Sequence, residues 1–260
     1  MLISIRNSNR NEGTPWHSIS RHTTASTVFL NGMFRLAGKN RYETGFAIAG
    51  KLKEILGVDK FSAVIVAYGQ NFPDALTGSY LAAVKGAPIL LTEPSADANL
   101  LTYLQNNLVS GGKVYILGGT AAVSEDMETL LADRGVANVK RLGGENRFET
   151  NKMILDEVGV EGEEILVCTG SNFADTLAAS ATKLPILLVY NKTGLFEYQE
   201  EFLTGLNGNA VTILGGTSAV SEDVEAAVEA AAKVEADRVG GATRVETSIA
   251  VAEKYFPGNV

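Results

Sequence analysis

Six of the ten arginines in this 260-residue chain fall in three copies of one short element. The copies read Arg35-Leu-Ala-Gly-Lys-Asn-Arg-Tyr-Glu-Thr44, Arg141-Leu-Gly-Gly-Glu-Asn-Arg-Phe-Glu-Thr150 and Arg238-Val-Gly-Gly-Ala-Thr-Arg-Val-Glu-Thr247. Each sets two arginines around a glycine turn: Arg35 with Arg41, Arg141 with Arg147, and Arg238 with Arg244. A guanidinium is a planar fork of N–H donors that matches a carboxylate or phosphate, so such a pair can converge on one anionic group. The same pair can instead meet a carboxylate of a neighbouring module and lock the two together. A second repeated element supplies acids: Gly69-Gln-Asn-Phe-Pro-Asp74 is echoed by Gly170-Ser-Asn-Phe-Ala-Asp175, each directly after an apolar strand. Asp74 and Asp175 are placed to cap the following helix, and Asn71 and Asn172 suit a tight turn. The alternative is that these four contact a sugar-like ligand, or that the two aspartates work as general acids or bases.

Other reactive patterns are scarce. There is no Gly-x-x-x-x-Gly-Lys-Ser/Thr, no Gly-x-Gly-x-x-Gly and no Gly-x-Ser-x-Gly, so the common nucleotide and nucleophile loops are unsupported. Both histidines, His17 and His22, precede the first copy, and Cys168 is the one cysteine. No zinc site of the cysteine type and no serine–histidine pair can therefore be assembled within the modules; metal and cofactor are both expected to be absent. A net charge of −8 argues against broad attraction to nucleic acid, and no apolar run is long enough to enter a membrane.

The elements that must position these residues follow from hydrophobic pattern. Tyr42 to Leu56 has helical spacing and stops at Gly57; strands are expected at 63–67, 88–91, 113–117 and 139–142, with helices at 74–84, 100–108 and 124–132. The order returns with strands at 164–168, 185–189 and 211–214 and helices at 175–182 and 221–232. The strands are continuous apolar runs, which points to burial on both faces and hence to a mostly parallel sheet sandwiched between helices. The fold class is α/β in tandem modules: 35–140, 141–237 and an incomplete third start at 238–260. Residues 1–34 read as a flexible leader without the apolar stretch of a signal peptide, although Trp16 and Val28-Phe29-Leu30 could dock on the first module. Leu117-Gly-Gly-Thr-Ala-Ala-Val-Ser-Glu-Asp126 and Leu214-Gly-Gly-Thr-Ser-Ala-Val-Ser-Glu-Asp223 read as glycine turns in which Ser124 and Ser221 cap the next helix.

Taken together, the arginine element, Asn-Phe-Pro-Asp-Ala-Leu, Pro-Ile-Leu-Leu and Leu-Gly-Gly-Thr-Ala-Ala-Val-Ser resemble the cell wall binding repeat 2 modules of Gram-positive surface proteins, over roughly residues 35 to 256. The resemblance implies α/β modules packed in threes about a pseudo-threefold axis. It also implies non-covalent, non-catalytic anchoring at the cell surface through an anionic secondary wall polysaccharide. Carried over, it points to the six arginines and to Ile89-Leu90-Leu91 and Ile186-Leu187-Leu188, the latter two trios as module packing. A third copy that is only begun leaves two expectations. Either the helix Val245 to Phe256 packs on module two in place of a partner helix, or partial modules associate between chains. A wall-associated or sugar-nucleotide enzyme using Asp74 and Asp175, and a purely structural scaffold, remain the competing readings.

Overall fold

The computed structural model describes residues 35–94, 98–191, 194–206 and 208–258, so the expectations for residues 1–34 lie outside it. Two four-stranded sheets, parallel throughout, carry the chain. In the first the order is β2 (Ile89–Thr92), β1 (Phe61–Tyr68), β3 (Leu108–Leu117), β4 (Val139–Leu142); in the second it is β6 (Ile186–Val189), β5 (Ile165–Thr169), β7 (Val211–Leu214), β8 (Asp237–Val239). The expected α/β architecture is the one found. Central strands are apolar on both faces because both faces are covered: every residue of β5 is buried, and Ile65 of β1 lies between Ile89 and Tyr115 in register. In both sheets the chain reverses direction beside the first strand, so a crevice opens at the carboxyl ends of β1/β3 and of β5/β7.

One face of the first sheet is covered by α1 (Arg41–Leu56), α3 (Ala98–Asn107) and α4 (Asp126–Asp133), with Val64, Val66, Leu90 and Ile116 beneath Ala49, Leu104 and Met127. On the other face lie α2 (Pro73–Lys85) and α5 (Arg147–Val158), whose Leu81 and Ile154 meet Ile65 and Leu117. Yet α5 also belongs to the second sheet. Its next residue, Leu155, enters a cluster with Val167, Leu187 and Ile213, under α7 (Glu197–Gly205) and α8 (Glu222–Ala232). Adjacent helical residues point about 100° apart, so one helix can feed two cores only when it is sandwiched between them. Tyr80 of α2 joins the second core as well. The remaining face of the second sheet takes α6 (Ala174–Ser180) and α9 (Arg244–Tyr255), where Val251 occupies the position in α9 that Ile154 has in α5.

The repeated element is a compact helix start. Gly38, Gly144 and Gly241 each donate N–H to the Thr hydroxyl six residues on, at 3.0, 3.0 and 3.1 Å. A Cβ on any of the three would lie 2.2–2.3 Å from the Cβ of Glu43, Glu149 or Glu246, so only glycine fits. Those glutamates accept backbone N–H groups of Lys39, Glu145 and Thr243, and Asn40, Asn146 and Thr243 cap the helices with their side chains. The glycine, glutamate and threonine common to all three copies are thereby explained without any ligand.

The sequence-based elements need four corrections. Leu108 starts β3 rather than ending a helix. The strand expected at 139–142 is the last of the first sheet, but its equivalent in the second, Asp237–Val239, was not expected. Ser221 caps α8, but Ser124 does not cap α4: its hydroxyl is buried without a partner among the described residues. Helix α7 was not anticipated, because its inward residue Gln199 is polar; it is held by donating to Leu188 O at 2.6 Å and accepting from Phe196 N.

Because α5 is shared, the two sheets should unfold together. Leu155→Ala is expected to lower stability by about 2–4 kcal/mol while leaving one cooperative transition in calorimetry; two resolved transitions in the wild-type chain would contradict the shared core.

Candidate functional site

The six arginines divide into two sets. Arg141 is turned inward: Nε and Nη2 grip the two carboxylate oxygens of Glu128 at 2.7 Å each, Nη1 donates to Gly118 O at 3.0 Å and Val123 O at 2.8 Å, and Nη2 also reaches Ser124 O at 3.2 Å. Arg238 repeats this with Glu225 at 3.3 and 2.8 Å, Gly215 O at 2.9 Å and Val220 O at 3.0 Å. These two guanidiniums tie the last strand of each sheet to the glycine turn and to the helix after it. Arg35 holds the same place in the first copy; it is exposed and makes no hydrogen bond or ion pair among the described residues.

The second arginines point elsewhere. Arg41 Nη1 donates to Gly69 O and Arg147 Nη1 to Gly170 O, both at 2.6 Å. A guanidinium has five N–H donors, so most of the donor capacity of these two is unspent within the described residues. In the second copy Arg141 turns back into the first sheet whereas Arg147 donates to the second, and in the third Arg238 and Arg244 have no partner in common, so these pairs do not converge on a single group. This corrects the expectation of paired arginine forks.

At the crevice of the first sheet, Arg147 lies over the ring of Phe72, Cζ 5.6 Å from its centroid; Arg244 lies over Phe173 at the same 5.6 Å. Phe72 and Phe173 touch edge to face with centroids 5.8 Å apart. The two cations are thus linked by one aromatic pair, and Phe173 is 42% exposed. Both phenylalanines stood in the repeated Asn-Phe motif, but their sequence setting alone gave no sign that they would seat arginines.

Asp74 and Asp175 complete each arrangement, though not as expected. Neither caps its helix: Phe72 and Phe173 hold the cap positions, without side-chain capping bonds. Instead each carboxylate presses on the glycine turn of its own sheet. A Cβ on Gly118 would lie 2.6 Å from Asp74 Oδ2, and one on Gly215 2.6 Å from Asp175 Oδ2; these glycines also have φ of +103° and +105°. Burial pushes both carboxyls above the usual carboxylate range, opposed by Arg147 for Asp74 and by Arg244 for Asp175. Asn71 and Asn172 serve the turn, accepting from Phe72 N at 2.9 Å and Ala174 N at 3.4 Å.

The leucine-rich trios lie in the strands. Leu90, Ile186, Leu187 and Leu188 are buried, whereas Ile89 and Leu91 are partly covered. Ile89 packs on the cluster that includes Ile154, and Leu187 shares a cluster with Tyr80, so both contribute where the sheets meet. Among the described residues no group of three His, Cys, Asp or Glu side chains could hold a metal, and no helix is long and apolar enough to cross a membrane. Chemically, the crevices offer cations with free donors, a flat apolar ring beneath each, and a carboxyl that resists ionisation.

Two outcomes follow. Arg141→Ala removes charged hydrogen bonds from a part-buried glutamate and should cost about 2–3 kcal/mol, measured by urea unfolding, whereas Arg41→Ala should change stability little. For Asp74, a carboxyl pKa raised by folding means that the folded chain binds the proton more tightly than the unfolded one. Its stabilising share is complete below the unfolded carboxylate range and is lost as pH rises through the folded value. Asp74→Asn should therefore melt above the wild type at pH 7, the gap closing below about pH 4; equal melting temperatures at both pH values would contradict the burial of an ionisable group.

Comparison with known proteins agrees with this architecture. A profile of the family Cell wall binding domain 2 (CWB2) matches residues 35–128 and 141–225. The chain is 32% identical over 216 residues to the amidase enhancer of Bacillus subtilis, covering 82% of this chain and 28% of the enhancer. It is 25% identical over 228 residues to the N-acetylmuramoyl-L-alanine amidase LytC of the same organism, covering 86% of this chain and 43% of LytC. The chain thus spans less than half the length of either of these two relatives. Among solved structures, Cwp8 from Clostridium difficile superposes with a TM-score of 0.77 at 28% identity, over 86% of this chain and 38% of that one. The chain belongs to the Cell wall binding domain 2 family.

Proposed function

We propose that the chain, as a member of that family, binds the cell wall through an anionic polysaccharide that occupies the crevices where neighbouring sheets meet. The observation that carries this reading is the duplicated seat. Arg147 over Phe72 beside Asp74 recurs as Arg244 over Phe173 beside Asp175, with donors to spare and the two rings in contact. A phosphate or carboxylate on the polymer would be held by the guanidinium, while the carbon face of a sugar lies on the exposed phenylalanine. Each aspartate beside its arginine is partly buried, which raises its carboxyl pKa while the arginine opposes the shift. A locally cationic seat on a chain of net charge −8 also favours an anion presented by a wall over free nucleic acid. Two like sites meeting a repeating polymer gain avidity of roughly 10²–10⁴-fold when both can be filled at once.

The competing readings have less support. For acid–base catalysis, each aspartate senses one arginine and no second carboxylate. For a purely structural role, Arg141 and Arg238 already fill it, leaving Arg41, Arg147 and Arg244 unaccounted for. Self-association has one favourable observation: Phe173, Leu177 and Val245 are exposed, whereas Phe72, Leu76 and Phe148, their counterparts one copy earlier, are partly covered where the first and second sheets meet. A further unit of the same kind, from another copy or another chain, is the proposed occupant of that face. By the same reading the protein works at the cell surface, as the wall-binding part of whatever it is joined to.

The double variant Arg147→Ala/Arg244→Ala should bind purified Gram-positive walls at least tenfold more weakly, on the order of one lost charged hydrogen bond per site, with circular dichroism unchanged. Co-sedimentation equal to that of the wild type would remove these arginines from binding.

A further inference from the structure

Beneath each place where a helix docks on the preceding sheet lies an ion pair, and the two pairs have opposite sense. At the first junction Glu157 of α5 accepts from Lys140 of β4 and from Lys113 of β3, the latter at 3.3 Å. Glu157 is only 11% exposed; burial opposes its charge, but the hydrogen bonds from Lys140, Tyr115 and Lys113 prevail and hold it at about 2. At the second junction the helix carries the cation. Lys254 of α9 pairs with Asp237 of β8 at 3.0 Å and Glu164 at 3.5 Å, and donates to Thr212 of β7 at 2.9 Å. The positions correspond: Glu157 and Lys254 each stand ten residues after the second arginine of their copy, and Lys140 and Asp237 each stand immediately before the first. Same geometry, with the charges exchanged, joins strand to helix in both places.

On the face turned to the preceding sheet, packing distinguishes these helices little, although α5 also buries Leu155 in the second core. Both begin with the same element, and each buries one aliphatic residue at the same position, Ile154 or Val251, against the sheet before it. A chain with two such interfaces can dock the wrong helix, within itself or on a second copy, and repeated units are prone to this failure. We propose that the inverted pairs are a matching code that allows each helix to dock only on its own sheet. In an exchanged pairing Glu157 would face Asp237 and Glu164, while Lys254 would face Lys140 and Lys113. Glu157 and Lys254 are themselves partly covered, although Lys140 and Asp237 are exposed, so opposite charges then become like charges and discrimination arises mainly from that repulsion. This inference is independent of what the crevices bind.

The test is to give both junctions the same sense. Glu157→Lys alone should lower the melting temperature by roughly 5 °C or more. Adding Lys140→Asp and Lys113→Ala should recover much of it, because the helix then presents a cation to a strand carboxylate as Lys254 does to Asp237. When the triple variant is refolded from urea across a concentration series, sedimentation velocity should show several-fold more dimers and larger species than wild type, since either helix now fits either sheet. A single variant that melts like wild type, a triple variant no more stable than the single one, or a triple variant with the wild-type monomer yield overturns the code. Should the triple variant not fold, the reciprocal set Asp237→Lys/Lys254→Glu/Glu164→Ala is read by the same criteria.

Discussion

Helix α5 is buried from two sides, and the rest of the structure depends on that. Ile154 belongs to the core of the first sheet and Leu155 to the core of the second. Between those cores α5 keeps only a narrow solvated stripe, where Met153 and Asp156 are exposed and Lys152 pairs with Asp156, so what distinguishes it lies largely at its ends. At its start are the glycine turn, the capping asparagine and Arg147; at its far end is Glu157 among lysines. The same constraint fixes where ligands can reach. With the sheet faces covered by helices, the strand ends stay open at the crevice, where Arg147, Phe72 and Asp74 gather.

Within that crevice the chemistry rests on small differences in placement. Arg141 and Arg147 are six residues apart in one motif, yet the first is saturated by Glu128 and three carbonyls while the second spends one donor on Gly170 O. Asp74 is tolerated because Gly118 has no side chain to displace it. Holding a carboxyl where burial disfavours its charge lowers stability at neutral pH. Both copies nonetheless hold the carboxyl beside an arginine, which opposes the effect of burial on its charge.

Much of this was legible beforehand. Buried parallel strands announced themselves as apolar runs, Val211 to Leu214 for instance, and glycines marked the turns because their positions demand positive φ or close approach. The arginine, asparagine and aspartate motifs were recognisable as special. Their division of labour was not, since a motif records which residues recur and not which way a turn sends them. Arg141 could be assigned to Glu128 only once α4 was seen beside β4, and Phe72 became a seat only once α5 was placed over it. Gln199 shows the opposite limit: a buried polar residue broke the hydrophobic period and hid a helix.

The account stands most directly on whether the crevices recognise a negative polymer. The decisive measurement is binding of the full chain to Gram-positive walls before and after chemical extraction of their anionic polysaccharide, with the extracted polymer then added as a competitor. Binding should be lost on extraction and inhibited by the free polymer, more weakly as salt is raised. Undiminished binding to stripped walls would contradict the central claim.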